Sequence, residues 1–176
     1  MDEHRWSETS PRVGDTLCAG DVTITVASLP PMALVSGDVM HFATDRGTTL
    51  SGLAELINPD AAYIRLARDR ILSVGDVVDQ LDEGWRPGVG HTGNGHAGLA
   101  VSRIDGGYAC LALSGDGTET LLQQGTSVNL RQPSPAATLL FAGQPAVLVR
   151  APGAWWLLVD PAQLAYHWLW FSGAQA

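Results

Sequence analysis

Between Pro87 and Ala176 this chain of 176 residues carries only four acids (Asp105, Asp116, Glu119, Asp160) and three arginines (Arg103, Arg131, Arg150). Four of its six tryptophans, Trp155, Trp156, Trp168 and Trp170, fall near the end. The surface-to-volume ratio of a small monomer leaves much of it wet, so a soluble chain normally spreads charge all over its surface. The C-terminal half has too little polar surface to face water on every side. Uncharged, aromatic-rich patches are how buried subunit interfaces are composed. The chain is therefore expected to live against another protein.

Length allows one domain, or two tightly fused half-domains, with a real core. Residues 1–86 hold fourteen acids and seven arginines, so that half carries −7 of the total −8, and there is no lysine. An acidic chain without a basic patch cannot neutralise phosphates, which argues against nucleic acid as a partner. The longest apolar run is far short of the roughly 20 residues that a membrane span needs. Met1 to Val13 is polar and shows no hydrophobic signal region, so a cytoplasmic address is the expectation. Cys18 and Cys110 lie far apart with no CxxC and read as free thiols.

Periodicity gives an α+β organisation. Residues 1–20 read as a flexible arm, 21–85 as an N-terminal α+β half, 86–96 as a glycine-rich connecting loop and 97–176 as a C-terminal α+β half. In the first half, 21–26 (DVTITV) alternates as a half-buried strand, and Met32 to Val35 resumes an extended path after Pro30-Pro31. Leu50, Leu53, Ala54 and Ile57 recur at helical spacing, which predicts a helix over 49–58. Ala61–Ala67 and Arg70–Val74 read as strands around a turn, and Asp76 as the cap of a short helix ending before Gly84. In the second half, His96–Ile104 and Tyr108–Leu113 flank Asp105-Gly106-Gly107, a hairpin signal. Asp116 with Glu119 resembles a capping box for a helix that Gly125 stops. Thr138–Ala142, Ala146–Arg150 and Trp155–Val159 are three further short strands.

Asp160-Pro161 opens a last helix running to about Phe171. Leu164, Trp168 and Phe171 share one face, Tyr166 and Trp170 sit nearly opposite, Leu169 lies between, and His167 marks the least buried angle. A helix apolar all round is buried on all sides, yet a chain this small offers only one side to its own sheet. Trp155, Tyr166, Trp168, Trp170 and Phe171 are accordingly the expected subunit interface.

Candidate chemistry is sparse. Gly88-Val89-Gly90-His91-Thr92-Gly93 matches G-x-G-x-x-G, but it follows a helix-like segment and leads into a strand, the reverse of a dinucleotide site. It reads instead as a linker or interface loop. His91 and His96, with His41, could be imagined on a metal, but no acid or cysteine lies near the pair at ligand spacing. They read as polar loop residues, and His4 is isolated. Asp76, Asp79, Asp82 and Glu83 read as a solvated helix face, and Cys110 as a core thiol. No catalytic, cofactor-binding or metal-ligating residue is expected in this chain.

The run Leu113-Ser114-Gly115-Asp116, then Leu121 to Leu130 (LLQQGTSVNL), Ala136 to Arg150 (AATLLFAGQPAVLVR), Trp155 to Val159 (WWLLV) and Tyr166 to Trp170, resembles the γ subunit of heterotetrameric sarcosine oxidase. The resemblance covers roughly residues 97–171; the first half lacks the "DEWLL"-like run usual there. It implies two related half-domains of mixed or antiparallel sheet with helices on one face, like the folate-binding domain of aminomethyltransferases. It also implies a subunit with no catalytic residue, packed against a large flavin- and folate-binding α subunit in a complex with β and δ subunits. FAD, FMN, NAD and tetrahydrofolate would belong to those partners. Such complexes oxidise the N-methyl group of sarcosine and pass the one-carbon unit to tetrahydrofolate or release formaldehyde. Two other classes stand beside this one: a stand-alone folate-dependent aminomethyltransferase-like protein, and a small binding module.

Overall fold

The computed structural model describes residues 10–87 and 98–174. Residues 1–9 of the expected arm, His4, the Gly88–Gly93 run, His91 and His96 lie outside the described residues. Elements follow in chain order: β1 (Thr16–Ala19), β2 (Val22–Ala27), β3 (Met32–Gly37), α1 (Val39–Asp45), β4 (Ala61–Ala67) and β5 (Arg70–Gly75). A 3-10 turn (Asp76–Gln80), β6 (Gly84–Pro87), β7 (Gly98–Arg103), β8 (Ala109–Ser114) and α2 (Thr118–Gly125) come next. The chain closes with β9 (Thr138–Phe141), β10 (Gln144–Ala151), β11 (Ala154–Val159), a second 3-10 turn (Pro161–Gln163) and α3 (Leu164–Gly173).

The fold is α+β, built on two antiparallel sheets. One has six strands in the order β1-β2-β8-β11-β10-β9; the other has five, β4-β5-β3-β7-β6. Strand alternation sorts side chains into three cores. Cys110, Val147, Val149 and Leu158 leave the six-stranded sheet to meet Met32, Ile64, Leu72 and Val74 of the five-stranded one, so the sheets pack face to face. The outer face of the six-stranded sheet buries Ile24, Leu111, Leu113, Leu148 and Leu157 under Leu121, Leu122 and Phe171 of α2 and α3. The outer face of the five-stranded sheet buries Val35, Ile71 and Val101 under Val39 and Phe42 of α1.

Several expectations are corrected. The arm assigned to residues 1–20 includes β1, whose Leu17 pairs with Ile24 of β2. Sheet membership also crosses the midpoint of the chain. β2 pairs with β8 in the six-stranded sheet, and β7 pairs with β3 in the five-stranded one. The expected hairpin around Asp105 therefore does not form: β7 and β8 are both strands, but this connection carries the chain from one sheet to the other. Asp105 Oδ1 accepts from the Met32 backbone N–H at 2.9 Å, which anchors that crossover.

The expected helix over 49–58 is extended chain. The Ser51 N–H donates to Tyr63 O at 2.8 Å, and the Ile57 N–H to Arg150 O at 2.8 Å. Those residues fill the edge of β4 and the end of β10, and Leu53 and Ile57 are buried while Leu56 faces out. Helical spacing loses here because a helix would leave both sheet edges unpaired. Helix α1, which the periodicity did not predict, starts at Asp38, whose Oδ1 accepts from the His41 N–H at 3.1 Å. Gly84–Pro87, read as the end of a helix and a loop, is edge strand β6. The segment after Asp76 is a single 3-10 turn, and Asp76 does not cap it. Helix α2 has no side-chain cap from its own residues. Asp21, in the β1–β2 turn, accepts instead from the Gly117 N–H at 3.0 Å.

Candidate functional site

Helix α3 follows from its local sequence. Asp160 Oδ1 accepts from the Ala162 N–H at 2.8 Å, and Pro161 sits in the first turn where its missing N–H costs nothing. From Leu164 to Gly173 no residue carries a formal charge, His167 being counted neutral. Phe141, in β9, is the seat. Phe171 stacks on it at 5.5 Å between ring centroids, Trp170 meets it edge-on at 4.9 Å, and the His167 ring lies 6.1 Å away. The Tyr166 hydroxyl donates to Ala142 O at 2.6 Å, fixing the helix to the β9–β10 turn.

The buried axis of α3 differs from the expected one. At 100° per residue, the spacing puts it through Leu164, Trp168 and Phe171. The structure turns it by roughly 50°, so that it runs through His167 and Phe171, both fully buried. His167, expected at the wettest angle, is thus core. The Nδ1–H donates to Gln163 O at 2.9 Å, because a carbonyl can only accept, and Nε2 has no partner among the described residues. Opposite that axis Leu169 is 57% and Tyr166 46% exposed. Trp168 and Trp170 are half-buried.

Of the five residues expected at an interface, Phe171 and Trp155 are therefore corrected. Phe171 is wholly enclosed, and Trp155, at 7% exposure, is spent in the core beneath Arg150. Leu169, outside the expected interface set, is the most exposed apolar side chain of the helix. The available surface is Tyr166 and Leu169, flanked by the half-buried rings of Trp168 and Trp170. Those two indoles are neither fully enclosed nor fully wet. Leu140 and Pro145, on the other side of the β9–β10 turn, are also exposed, and residues 132–149 contain no charge.

The polar chemistry lies elsewhere. Arg150 stacks its guanidinium 4.5 Å above the Trp155 ring and pairs with Glu119, whose second oxygen is 3.7 Å from Arg131 Nε. A groove of about 420 Å³ opens there, lined in part by Leu56, Ser114, Asp116 and Gly153. Asp116 and Glu119 match its two guanidinium groups charge for charge. The acidic run is likewise an exposed ionic network, with Asp79 and Glu83 on Arg103 and Asp82 on Arg86. His41 pairs with Asp45 at 3.2 Å along exposed α1. Among the described residues no three His, Cys, Asp or Glu side chains converge as a metal site.

Both cysteines are unpaired, Cys18 exposed and Cys110 buried; burial pushes the Cys110 thiol up to about 12. Burial also raises the Tyr108 phenol, with Arg70 acting against that rise and Asp160 adding to it. No helix among the described residues is long and apolar enough to cross a membrane.

The double antiparallel sheet with helices on its outer faces is a fold also found in a chain of a multi-subunit oxidoreductase. That structure is heterotetrameric sarcosine oxidase from Corynebacterium sp. U-96 in complex with pyrrole 2-carboxylate, similar with a TM-score of 0.58 at 17% identity, over 90% of this chain and 90% of that one. At this identity the likeness speaks to fold. No family model and no curated protein sequence matches the chain.

Proposed function

We propose that this chain is a non-catalytic, γ-type subunit of a sarcosine oxidase-like flavoenzyme, docked on a larger subunit through the outer face of α3. The carrying observation is that the likeness covers 90% of both chains, so the two are of about equal length. A chain of about this length within a heterotetramer therefore has this fold, which supports reading the present chain as the counterpart of a small subunit. The charge-free α3, with Tyr166 and Leu169 turned outward, supplies a surface of the composition that interfaces use. In this reading FAD, FMN, NAD and tetrahydrofolate sit in the α and β subunits, a δ subunit completes the complex, and the complex oxidises the N-methyl group of sarcosine or a related amine in the cytoplasm.

Co-expression with flavin-bearing subunits tests it. The chain is expected to co-purify with a large flavoprotein, and Leu169→Asp is expected to break that association without unfolding the chain. A sharply melting, freely soluble monomer that ignores those subunits would overturn the assignment. Saturable tetrahydrofolate binding by the isolated chain would point instead to the aminomethyltransferase-like alternative.

A further inference from the structure

The five-stranded sheet carries a second surface, on a different layer from α3. Register places Arg70, Ser36, Ala100 and Trp85 in one row across β5, β3, β7 and β6. Neighbours in such a row share a face. Val35, Ile71 and Val101 belong to the core under α1, so this row points the other way, toward the six-stranded sheet. That sheet does not cover it: Arg70 is exposed, Ser36 and Ala100 are half-buried, and Trp85 is 69% exposed. The Trp85 indole lies against Gly98, where a Cβ would stand 2.9 Å from Nε1.

The result is a flat shelf with small side chains in the middle, an indole at one end and a guanidinium at the other. Three strand spacings separate the ends, about 14 Å. Arg70 has no acidic partner among the described residues, although the chain's net charge is −8. Nothing among the described residues encloses the shelf, so they form no concavity that would bury a small ligand. Tryptophan and arginine are the side chains that most often anchor protein interfaces.

We propose that this shelf docks a protein segment presenting a carboxylate to Arg70 and an apolar or aromatic side chain to Trp85. The charge fixes the kind of partner, since an unpaired guanidinium recognises an acid and repels a base. The proposal does not depend on α3 or on the sarcosine oxidase-like reading.

Photo-cross-linking from position 85 tests it in the cells that make the protein, with p-benzoylphenylalanine replacing Trp85 in the full-length chain. A cross-link to another protein is expected, within a peptide containing Asp or Glu. Arg70→Glu is expected to cut its yield about tenfold or more, and Arg68→Glu, exposed just outside the row, to leave it unchanged. Unaltered melting of both arginine variants keeps the comparison free of folding defects. The proposal fails if position 85 cross-links to nothing, to its own chain, or to a peptide without an acid. It also fails if Arg70→Glu leaves the yield intact.

Discussion

The Tyr166 hydroxyl donates to the Ala142 carbonyl oxygen at 2.6 Å, so the polar end of this outward-facing side chain of α3 is spent on the β9–β10 turn. What remains of that side chain toward solvent is the ring. Tyr166→Phe should cost about 0.5–1.5 kcal/mol, the net worth of one hydrogen bond, and leave association with a partner intact. Urea melting of the isolated chain and pull-down of the complex measure the two effects separately.

Gly125, the last residue of α2, should resist the replacement that helix propensity favours. Alanine is better than glycine in a helix by about 1 kcal/mol. Here, however, a Cβ would stand 2.4 Å from the Phe141 ring, the seat of α3. The clash should reverse the sign, giving a net loss of about 1–3 kcal/mol for Gly125→Ala. Paired with Phe141→Leu, which trades the ring for a smaller side chain, the loss should shrink; denaturation of the two singles and the double reads that coupling.

Asp21 and Gly117 are far apart in sequence, yet one caps the start of the helix that follows the other. Asp21→Ala should destabilise the chain by about 1 kcal/mol, as loss of an N-cap does. Asp116→Ala, at the position whose local sequence resembles a capping box, should change stability by less than about 0.5 kcal/mol. Equal losses from both would refute the assignment of the cap to Asp21.

Cys110 links stability to alkaline pH. Its thiol ordinarily ionises near 9, whereas burial in the folded chain pushes it up to about 12. Below pH 9 both states hold the proton and the residue is neutral to stability. Between about 9 and 12 the unfolded chain releases that proton and the folded one keeps it, so stability should fall by up to about 1.4 kcal/mol per pH unit. Cys110→Ala should remove this contribution to the slope. At pH 8 a thiol reagent should label Cys18 alone in the folded chain, and both cysteines once urea is added.

Much of the architecture is legible in the residues. Alternation in Val22–Ala27, the positive-φ turn at Gly143 and the Asp160-Pro161 start of α3 each act within a few residues. Segments whose structure is decided by distant partners were not legible. Leu50, Leu53 and Ile57 keep helical spacing, but the backbone of 51–57 is claimed by Tyr63, Ser134 and Arg150. Strands β7 and β8 carry a hairpin-like turn between them, but their alternate side chains belong to different cores.

By itself the sequence determined that the C-terminal half would be greasy, that α3 would form, and that its apolar residues would outnumber the places its own sheet could offer. Composition and local spacing suffice for that, because they count apolar side chains without needing to know where they go. Tertiary structure alone decided which of them go inside. The position of Phe141 turns the helix so that His167 and Phe171 face the sheet, and Tyr166 and Leu169 are left over. A uniformly apolar helix has no preferred angle of its own, so the angle belongs to the surface it lands on.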